Sequence, residues 1–324
     1  MCRRQDSGVW KKAGIDIPVI GIAMKVLITG NEGFIGSKIE IAYGLRNAEL
    51  YGWDLCGFHK IGEPHKNVSL MEPEAVCDIL ASVKPNLIIH CAGNANVTAS
   101  VESPMMDLRG NVLTTHNLLF AMKKLGMKQC RFVLLSSAAV YGNPINLPIT
   151  EADSINPLSP YALHKHFAEN ICFFMARNYN LDVKVLRIFS AYGPGLKKQL
   201  FWDMYQKIMK TGKLELFGSG IESRDYIYID DLVAAVLLVA QEAPREEIIY
   251  NVANGRETTI SEAAKCFSKC MSISEEKIYF TGKRREGEPI NWRADVSKLQ
   301  TLGYNPAVSF EEGIKRYIEW AKTT

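Results

Sequence analysis

A short apolar run, Lys25-Val26-Leu27-Ile28-Thr29, stops at Gly30 and opens the stretch Gly30-Asn31-Glu32-Gly33-Phe34-Ile35-Gly36. The run reads as a buried parallel strand, and a helical pattern begins at about Ile35. A strand that turns at once into a helix through glycines restricts the chain to a βα unit in which backbone approaches backbone, or a ligand, closely. The free amides at the start of such a helix suit a pyrophosphate. The first gap is one residue longer than in the commoner G-x-G-x-x-G, but the strand before and the helix after are the context that motif requires. Asp54 ends the next strand, Glu49-Leu50-Tyr51-Gly52-Trp53, eighteen residues after Gly36. A carboxylate there accepts hydrogen bonds from an adenosine ribose and repels a 2′-phosphate, which favours NAD over NADP. His59 and Lys60, slightly farther on, read as a solvated loop.

The alternation continues with a helix from Pro73 to Val83, a strand from Leu87 to His90 and a long helical segment from Pro104 to Leu125. A strand from Arg131 to Leu135, a helix opened by Pro160 and a strand from Asp182 to Arg187 follow. This order predicts an α/β fold, a doubly wound parallel sheet of the Rossmann type with ligand at the carboxyl ends of its strands. After Ser190 the alternation weakens, and a smaller C-terminal substrate-binding lobe is expected over 190–324. The dinucleotide-binding domain is expected over 24–189, with segments near 226–252 returning to it. Residues 1–23 start basic, and Asp16 and Pro18 interrupt their apolar stretch, so a secretory signal fits poorly. They are expected to be an N-terminal extension outside the core.

The chain has 324 residues, 47% of them hydrophobic, enough for a sizeable core. Its net charge of +3 and lack of a dense basic block give no sign of a nucleic-acid partner. No apolar run reaches the length of a membrane span. None of the eight cysteines forms a C-x-x-C pair, so free thiols in a reducing, cytoplasmic setting are expected. Cys266 and Cys270 share a helix face without histidines at zinc-like spacing, and no metal site is assigned.

Tyr161 and Lys165 stand four residues apart in Ser159-Pro160-Tyr161-Ala162-Leu163-His164-Lys165, on one face of a helix. A phenol beside an ammonium makes a base able to take a proton from an alcohol, because a neighbouring cation favours phenolate. Chance alone produces many such pairs, so the surroundings decide. They include His90-Cys91-Ala92-Gly93, Asn111, Ser136-Ser137-Ala138-Ala139-Val140-Tyr141-Gly142, and Arg187-Ile188-Phe189-Ser190-Ala191-Tyr192-Gly193-Pro194. Arg224-Asp225-Tyr226-Ile227-Tyr228, Tyr250-Asn251-Val252-Ala253-Asn254-Gly255 and Gly287-Glu288 complete the series.

Together and in this order, from Lys25 onward, these motifs resemble the extended short-chain dehydrogenase/reductase family. The closest likeness is to its NAD-dependent nucleotide-sugar epimerases and dehydratases, above all the UDP-glucose 4-epimerase branch. The resemblance implies Tyr161 as acid/base on a sugar hydroxyl or ketone, and Ser137 as a hydrogen-bond partner of the same oxygen. It implies that Lys165 holds the nicotinamide ribose and lowers the pKa of Tyr161. It implies NAD contacts from Gly30, Gly33, Phe34, Ile35, Gly36, Asp54, Ala92, Gly93, Tyr161 and Lys165. Substrate contacts are implied for Ser137, Ser190, Gln199 and Arg224, with a UDP-sugar as the expected substrate and a homodimer as the expected assembly. His164 and His166 read as structural or surface residues, and His90 has no assigned role.

Three departures narrow the reading. Ala138 and Ala139 stand where sugar 4,6-dehydratases carry an Asp-Glu pair, so the acid needed to eliminate the 6-hydroxyl is missing. Ser190 replaces an Asn common in epimerases, which leaves the nucleotide open, and Ser69 replaces an Asp that often touches adenine. The expected function is an isomerase that oxidises and re-reduces one sugar carbon, C4. The alternatives are a nucleotide-sugar 4-ketoreductase using NAD(P)H and a non-catalytic cofactor sensor.

Overall fold

The computed structural model describes residues 24–46, 48–283 and 289–324. The N-terminal segment 1–23 and the pair Gly287-Glu288 lie outside the described residues. Six strands come first: β1 (Lys25–Thr29), β2 (Glu49–Asp54), β3 (Gly57–Lys60), β4 (Leu87–His90), β5 (Arg131–Ser137) and β6 (Asp182–Ile188). Then follow β7 (Ser190–Tyr192), β8 (Leu214–Leu216), β9 (Ser223–Tyr228), β10 (Ile249–Val252), β11 (Glu257–Thr259) and β12 (Ile278–Phe280). The main sheet has seven strands in the order β10-β6-β5-β4-β1-β2-β3. All its pairings are parallel except the β2–β3 edge hairpin. The order reverses beside β1, between β4 and β2, and that is where an open α/β sheet offers a crevice for ligand. His59 and Lys60 therefore belong to an edge strand rather than a solvated loop: His59 is buried, and Lys60 pairs with Glu49 at 2.9 Å.

Helices cover both faces. Val26 and Ile28 of β1 join one apolar cluster with residues of α1 (Phe34–Gly44), while Leu27 joins the opposite one with residues of α2 (Pro73–Val83). Fully burying each such side chain contributes about 1.5–3 kcal/mol, and this two-sided demand explains why the strands are continuous apolar runs. The Pro104 to Leu125 segment, expected as one helix, is preceded by α3 (Val97–Glu102) and divides into three. A short α4 (Pro104–Leu108) leads into a π-helical turn at Arg109–Leu113 and then α5 (Thr114–Lys124). Such turns widen a helix by one residue and often mark functional positions.

Helix α6 (Pro160–Tyr179) starts cleanly because the Ser159 hydroxyl accepts from the Ala162 amide at 3.3 Å and Pro160 occupies the first turn. It ends at Asn180, whose φ is 52°. Beyond it lie α7 (Gln199–Thr211), α8 (Ile229–Glu242), α9 (Ile260–Cys270), α10 (Ser297–Gln300) and α11 (Phe310–Lys322). Strand β9 pairs with β7 and β11 in a separate three-stranded sheet, whereas β10 pairs with β6 in the main one. Tyr192, Phe201, Tyr226 and Phe310 pack with their rings mostly tilted to one another, Tyr192–Phe201 ring centres 5.1 Å apart and Tyr226–Phe310 5.4 Å. This aromatic cluster is continuous with the apolar cluster under β1, so the second lobe shares a core with one face of the main sheet.

Candidate active site

At the switch point, Gly30 sits at φ 70°, where a Cβ would lie 2.7 Å from the Ala92 amide. The Gly33 amide donates to the Gly30 carbonyl at 3.1 Å, and Gly36 packs directly on that carbonyl. The glycines thus let β1, the loop after β4 and the start of α1 converge. Gly33 caps α1 without a side-chain acceptor, so the first-turn amides are left to serve an anion. Phe34 and Ile35 are half-buried in that first turn, and the Phe34 ring lies 3.5 Å from where a Cβ on Gly195 would stand. The glycine turn therefore touches the loop that leads to Gln199.

Asp54 closes β2 with its carboxylate accepting from the Glu32 amide at 3.0 Å and from the Leu55 amide at 2.7 Å. It is held at the rim of the same crevice. His90 is buried between Thr29 (2.7 Å) and Thr115 (3.1 Å), and burial, with the nearby Lys165 charge, pushes its pKa down to about 3. It is a neutral strut joining β1, β4 and α5. Gly93 lies over Asn111, whose Nδ2 donates to the carbonyls of Asp107 (3.2 Å) and Asn94 (3.3 Å).

Ser137, Tyr161 and Lys165 come together where β5 ends against α6. The Ser137 hydroxyl lies near the Tyr161 phenol and accepts from the Ala139 amide at 3.2 Å. Lys165 is buried and donates to the Leu135 carbonyl at 3.0 Å, with its Nζ 6.0 Å from the centre of the Tyr161 ring. Burial lowers the Lys165 pKa to about 8, against the opposing charges of Asp107, Cys91 and Glu169. The Tyr161 phenol is pushed up instead of down: burial raises it, the nearby Ser137 hydroxyl opposes, and the Asp107 charge adds to the rise. The expected lowering by Lys165 is not among the influences on this phenol, and the loss of phenolate solvation on burial dominates.

The expected substrate residues lie on the second lobe. Ser190 is half-buried in β7. Gln199 opens α7 at φ 68°, an unusual left-handed conformation for a non-glycine residue. Arg224 donates to the carbonyls of Ser223 (2.7 Å) and Ile290 (3.1 Å), and its guanidinium lies 5.7 Å from the Trp292 ring centre.

Two buried groups brace α6 with no earlier sign in the sequence reading. Glu169, on the Lys165 face of α6, accepts from the Ser136 hydroxyl at 2.5 Å and from Arg187 Nη2 at 2.8 Å. Asp107 of α4 receives His164 Nδ1 at 2.6 Å and Asn94 Nδ2 at 2.7 Å. The usable signal was register: Lys165, Glu169 and Cys172 follow the inward face of α6, and a charge on such a face requires a partner.

A glycine-lined helix terminus, a carboxylate at the rim of the crevice and a Tyr–Ser–Lys cluster are groups that could serve a nicotinamide-dependent alcohol–ketone site. The family model that matches residues 26–253 is the NAD dependent epimerase/dehydratase family. A Methanocaldococcus jannaschii protein classed provisionally as a UDP-glucose 4-epimerase is 32% identical, covering 92% of this chain and 98% of its own. Among solved structures, a UDP-glucose 4-epimerase of Thermotoga maritima with UDP-glucose is 28% identical at a TM-score of 0.84, covering 93% of this chain and 99% of that one. A Thermus thermophilus UDP-glucose 4-epimerase in complex with NAD is also 28% identical, at a TM-score of 0.81 over 92% of this chain and 99% of that one. The chain belongs to the NAD-dependent epimerase/dehydratase family of enzymes.

Proposed function

We propose that this enzyme is an NAD-dependent nucleotide-sugar 4-epimerase acting on a UDP-sugar. The observation that carries the reading is the Tyr161 phenol beside Ser137, with Lys165 Nζ 6.0 Å from its ring centre and Ala138 and Ala139 following Ser137. That set holds a base for one carbinol and no acid for expelling a neighbouring hydroxyl. The crevice fits NAD, since an uncapped α1 terminus, close glycine packing and Asp54 line it. Gly30, Gly33, Phe34, Ile35, Gly36, Asp54, Ala92 and Gly93 would hold the cofactor, together with Tyr161 and Lys165. When bound, NAD would supply a hydride acceptor and donor, and its cationic ring would favour the Tyr161 phenolate.

In this reading Tyr161 takes the proton from the C4 hydroxyl and returns it after the sugar has turned. Ser137 keeps the same oxygen in line. Lys165 fixes the cofactor ribose, and Ser190, Gln199 and Arg224 hold the nucleotide diphosphate. Arg224 suits that anion as a planar fork of donors. Residues 24–189 and the returning strand β10 form the cofactor unit, and 190–324 form mainly the substrate lobe.

The assembly is a homodimer through α5 and α6. Leu163, Phe167 and Phe174 expose one apolar stripe on α6, with Phe120 on α5 and Met105 and Met106 on α4 beside it. A contiguous apolar surface of this kind seeks a partner, and a second copy presents the same one. A cytoplasmic setting is supported by free thiols at Cys56, Cys77 and Cys91. Among the described residues, no helix is long and apolar enough to cross a membrane.

The test is incubation of the purified enzyme with UDP-sugars, with and without added NADH or NADPH. Inversion without added reductant is expected. Consumption of reductant on 4-keto sugars, with no inversion, contradicts the epimerase reading.

A further inference from the structure

Beside Asp54, the rim of the cofactor crevice carries a second acid. Glu32 lies in the glycine turn, and its amide donates to Asp54 Oδ2 at 3.0 Å, so the two residues meet directly. The Leu55 amide takes Asp54 Oδ1 at 2.7 Å, and each oxygen keeps a lone pair for a ribose hydroxyl. The Glu32 side chain stays at the surface, 46% exposed, with its Oε1 accepting from His65 Nε2 at 3.1 Å. A neutral ring with its hydrogen on Nε2 makes this contact as well as an imidazolium does. His65 arrives there through a chain reversal after β3, in which Phe58 and Lys66 exchange backbone hydrogen bonds of 2.9 and 2.7 Å. Its ring lies against that of the buried His59, with centres 4.0 Å apart. Gly52 of β2 makes room for His59, since a Cβ there would stand 2.6 Å from His59 Cε1. Burial lowers the His59 pKa and His65 adds to the fall, while Glu40, Glu32 and Asp54 oppose it, which marks the three acids as neighbours of this imidazole.

We propose that Glu32, steadied by His65 on His59, is a specificity-determining residue for the cofactor, a second acid that acts with Asp54 against a ribose 2′-phosphate. Gly33, which starts α1 at the pyrophosphate position, follows Glu32 directly, and Asp54 at the ribose position accepts the Glu32 amide. Glu32 therefore joins the two ends of the adenosine diphosphate site. A 2′-phosphate on a ribose held by Asp54 would bring about two negative charges to a rim that already holds two carboxylates. The hydroxyl of NAD brings none. The contact with His65 keeps the Glu32 charge at this rim, and Lys60 of β3 is itself paired with Glu49 at 2.9 Å. The inference rests on Asp54 receiving the adenosine ribose.

The test incubates the purified full-length enzyme with equal NAD and NADP at low salt and pH 8, above the ordinary range of histidine. Incubation lasts until a labelled NAD tracer has exchanged fully, unbound cofactor is removed, and the released cofactors are quantified by mass spectrometry. Glu32→Gln keeps the shape and removes the charge. It is expected to raise the bound NADP:NAD ratio about tenfold, the effect of one charge on a dianion roughly 6 Å away in water-like surroundings. Asp54→Asn should raise the ratio as well, and the double variant should exceed either single one. Glu40→Gln is the control: Glu40 accepts from Asn31 Nδ2 at 3.0 Å on α1, and its loss should leave the ratio near that of the wild type. An unmoved ratio in Glu32→Gln overturns the proposal, as does an equal shift in Glu40→Gln. An unmoved ratio in Asp54→Asn would instead refute the ribose placement, so the two failures are distinguishable.

Discussion

Arg187 grips Glu169 with its guanidinium, Nη2 to Oε2 at 2.8 Å and Nε to Oε1 at 3.1 Å, one helical turn beyond Lys165. Ser136 donates to the same carboxylate at 2.5 Å, and the guanidinium lies 4.7 Å from the Tyr141 ring centre. The ends of β5 and β6 and the inner face of α6 are thereby fixed to one another just beneath the Ser137–Tyr161 contact. A buried pair of this kind is costly to break from one side, because the remaining charge stays buried.

Glu169→Leu is therefore expected to lower unfolding stability by about 3–5 kcal/mol, read by urea denaturation at pH 7.5. Burial alone would raise the Glu169 pKa, but His166, 3.8 Å away, and the hydrogen bonds from Arg187 and Ser136 hold it below the usual range. A depressed carboxylate adds stability that is full above its unfolded value, about 4.3, and is lost as pH falls through its folded one. The gap between wild type and variant should accordingly narrow below about pH 4.3. A gap that stays constant into acid assigns the loss to packing alone.

His90 gives a second pH signature at a different position. Its folded pKa of about 3 lies below the unfolded value of about 6.5. Protonation therefore favours the unfolded chain, and the contribution is full above about pH 6.5 and declines as pH drops towards 3. The wild type should lose about 1.4 kcal/mol of stability per pH unit through this proton between pH 6 and 4. His90→Asn should start less stable at pH 7.5 and show a shallower slope. An unchanged slope in the variant would mean that His90 is not the proton acceptor.

At the cofactor crevice, Gly30→Ala puts a side chain at φ 70° and against the Ala92 amide. The resulting displacement of the loop after β4 should weaken NAD binding by at least about tenfold, equal to 1.4 kcal/mol. NAD released from purified protein and quantified by absorbance reads this directly. Wild-type NAD content in the variant would show that the turn does not hold the cofactor.

Phe167→Glu together with Phe174→Glu places charges on the exposed stripe of α6, where the two rings are 41% and 49% exposed in the single chain. Light scattering after size exclusion should find a dimer for the wild type and a monomer for the double variant. Two species of equal mass would remove α6 from the interface.

Much of this architecture could be read from the residues. The β1-turn-α1 unit was legible because an apolar run, glycines at close-packed positions and a helical pattern all agree locally. The helix Pro73–Val83 was marked by proline in its first turn. The π-helical turn at Arg109–Leu113 was not, since one extra residue shifts the helical register without changing composition. His164 and Asp107 are 57 positions apart, and Glu169 and Arg187 are 18 apart on different elements. Their pairing is a product of α4, α6 and β6 meeting in space, which local periodicity cannot express. His59 escaped for a related reason: its burial comes from the β2–β3 hairpin, a pairing that the residues around it do not signal.

The central claim is that one sugar carbon loses and regains its own hydrogen while Tyr161 moves the proton. The most direct measurement is mass and NMR analysis of products formed from UDP-glucose, UDP-galactose and UDP-glucuronate deuterated at C4, with no cofactor added. The account predicts an inverted sugar that retains deuterium at C4 and no such product from Tyr161→Phe. Failure to invert any of the three, inversion with solvent hydrogen at C4, or full activity in Tyr161→Phe would contradict it.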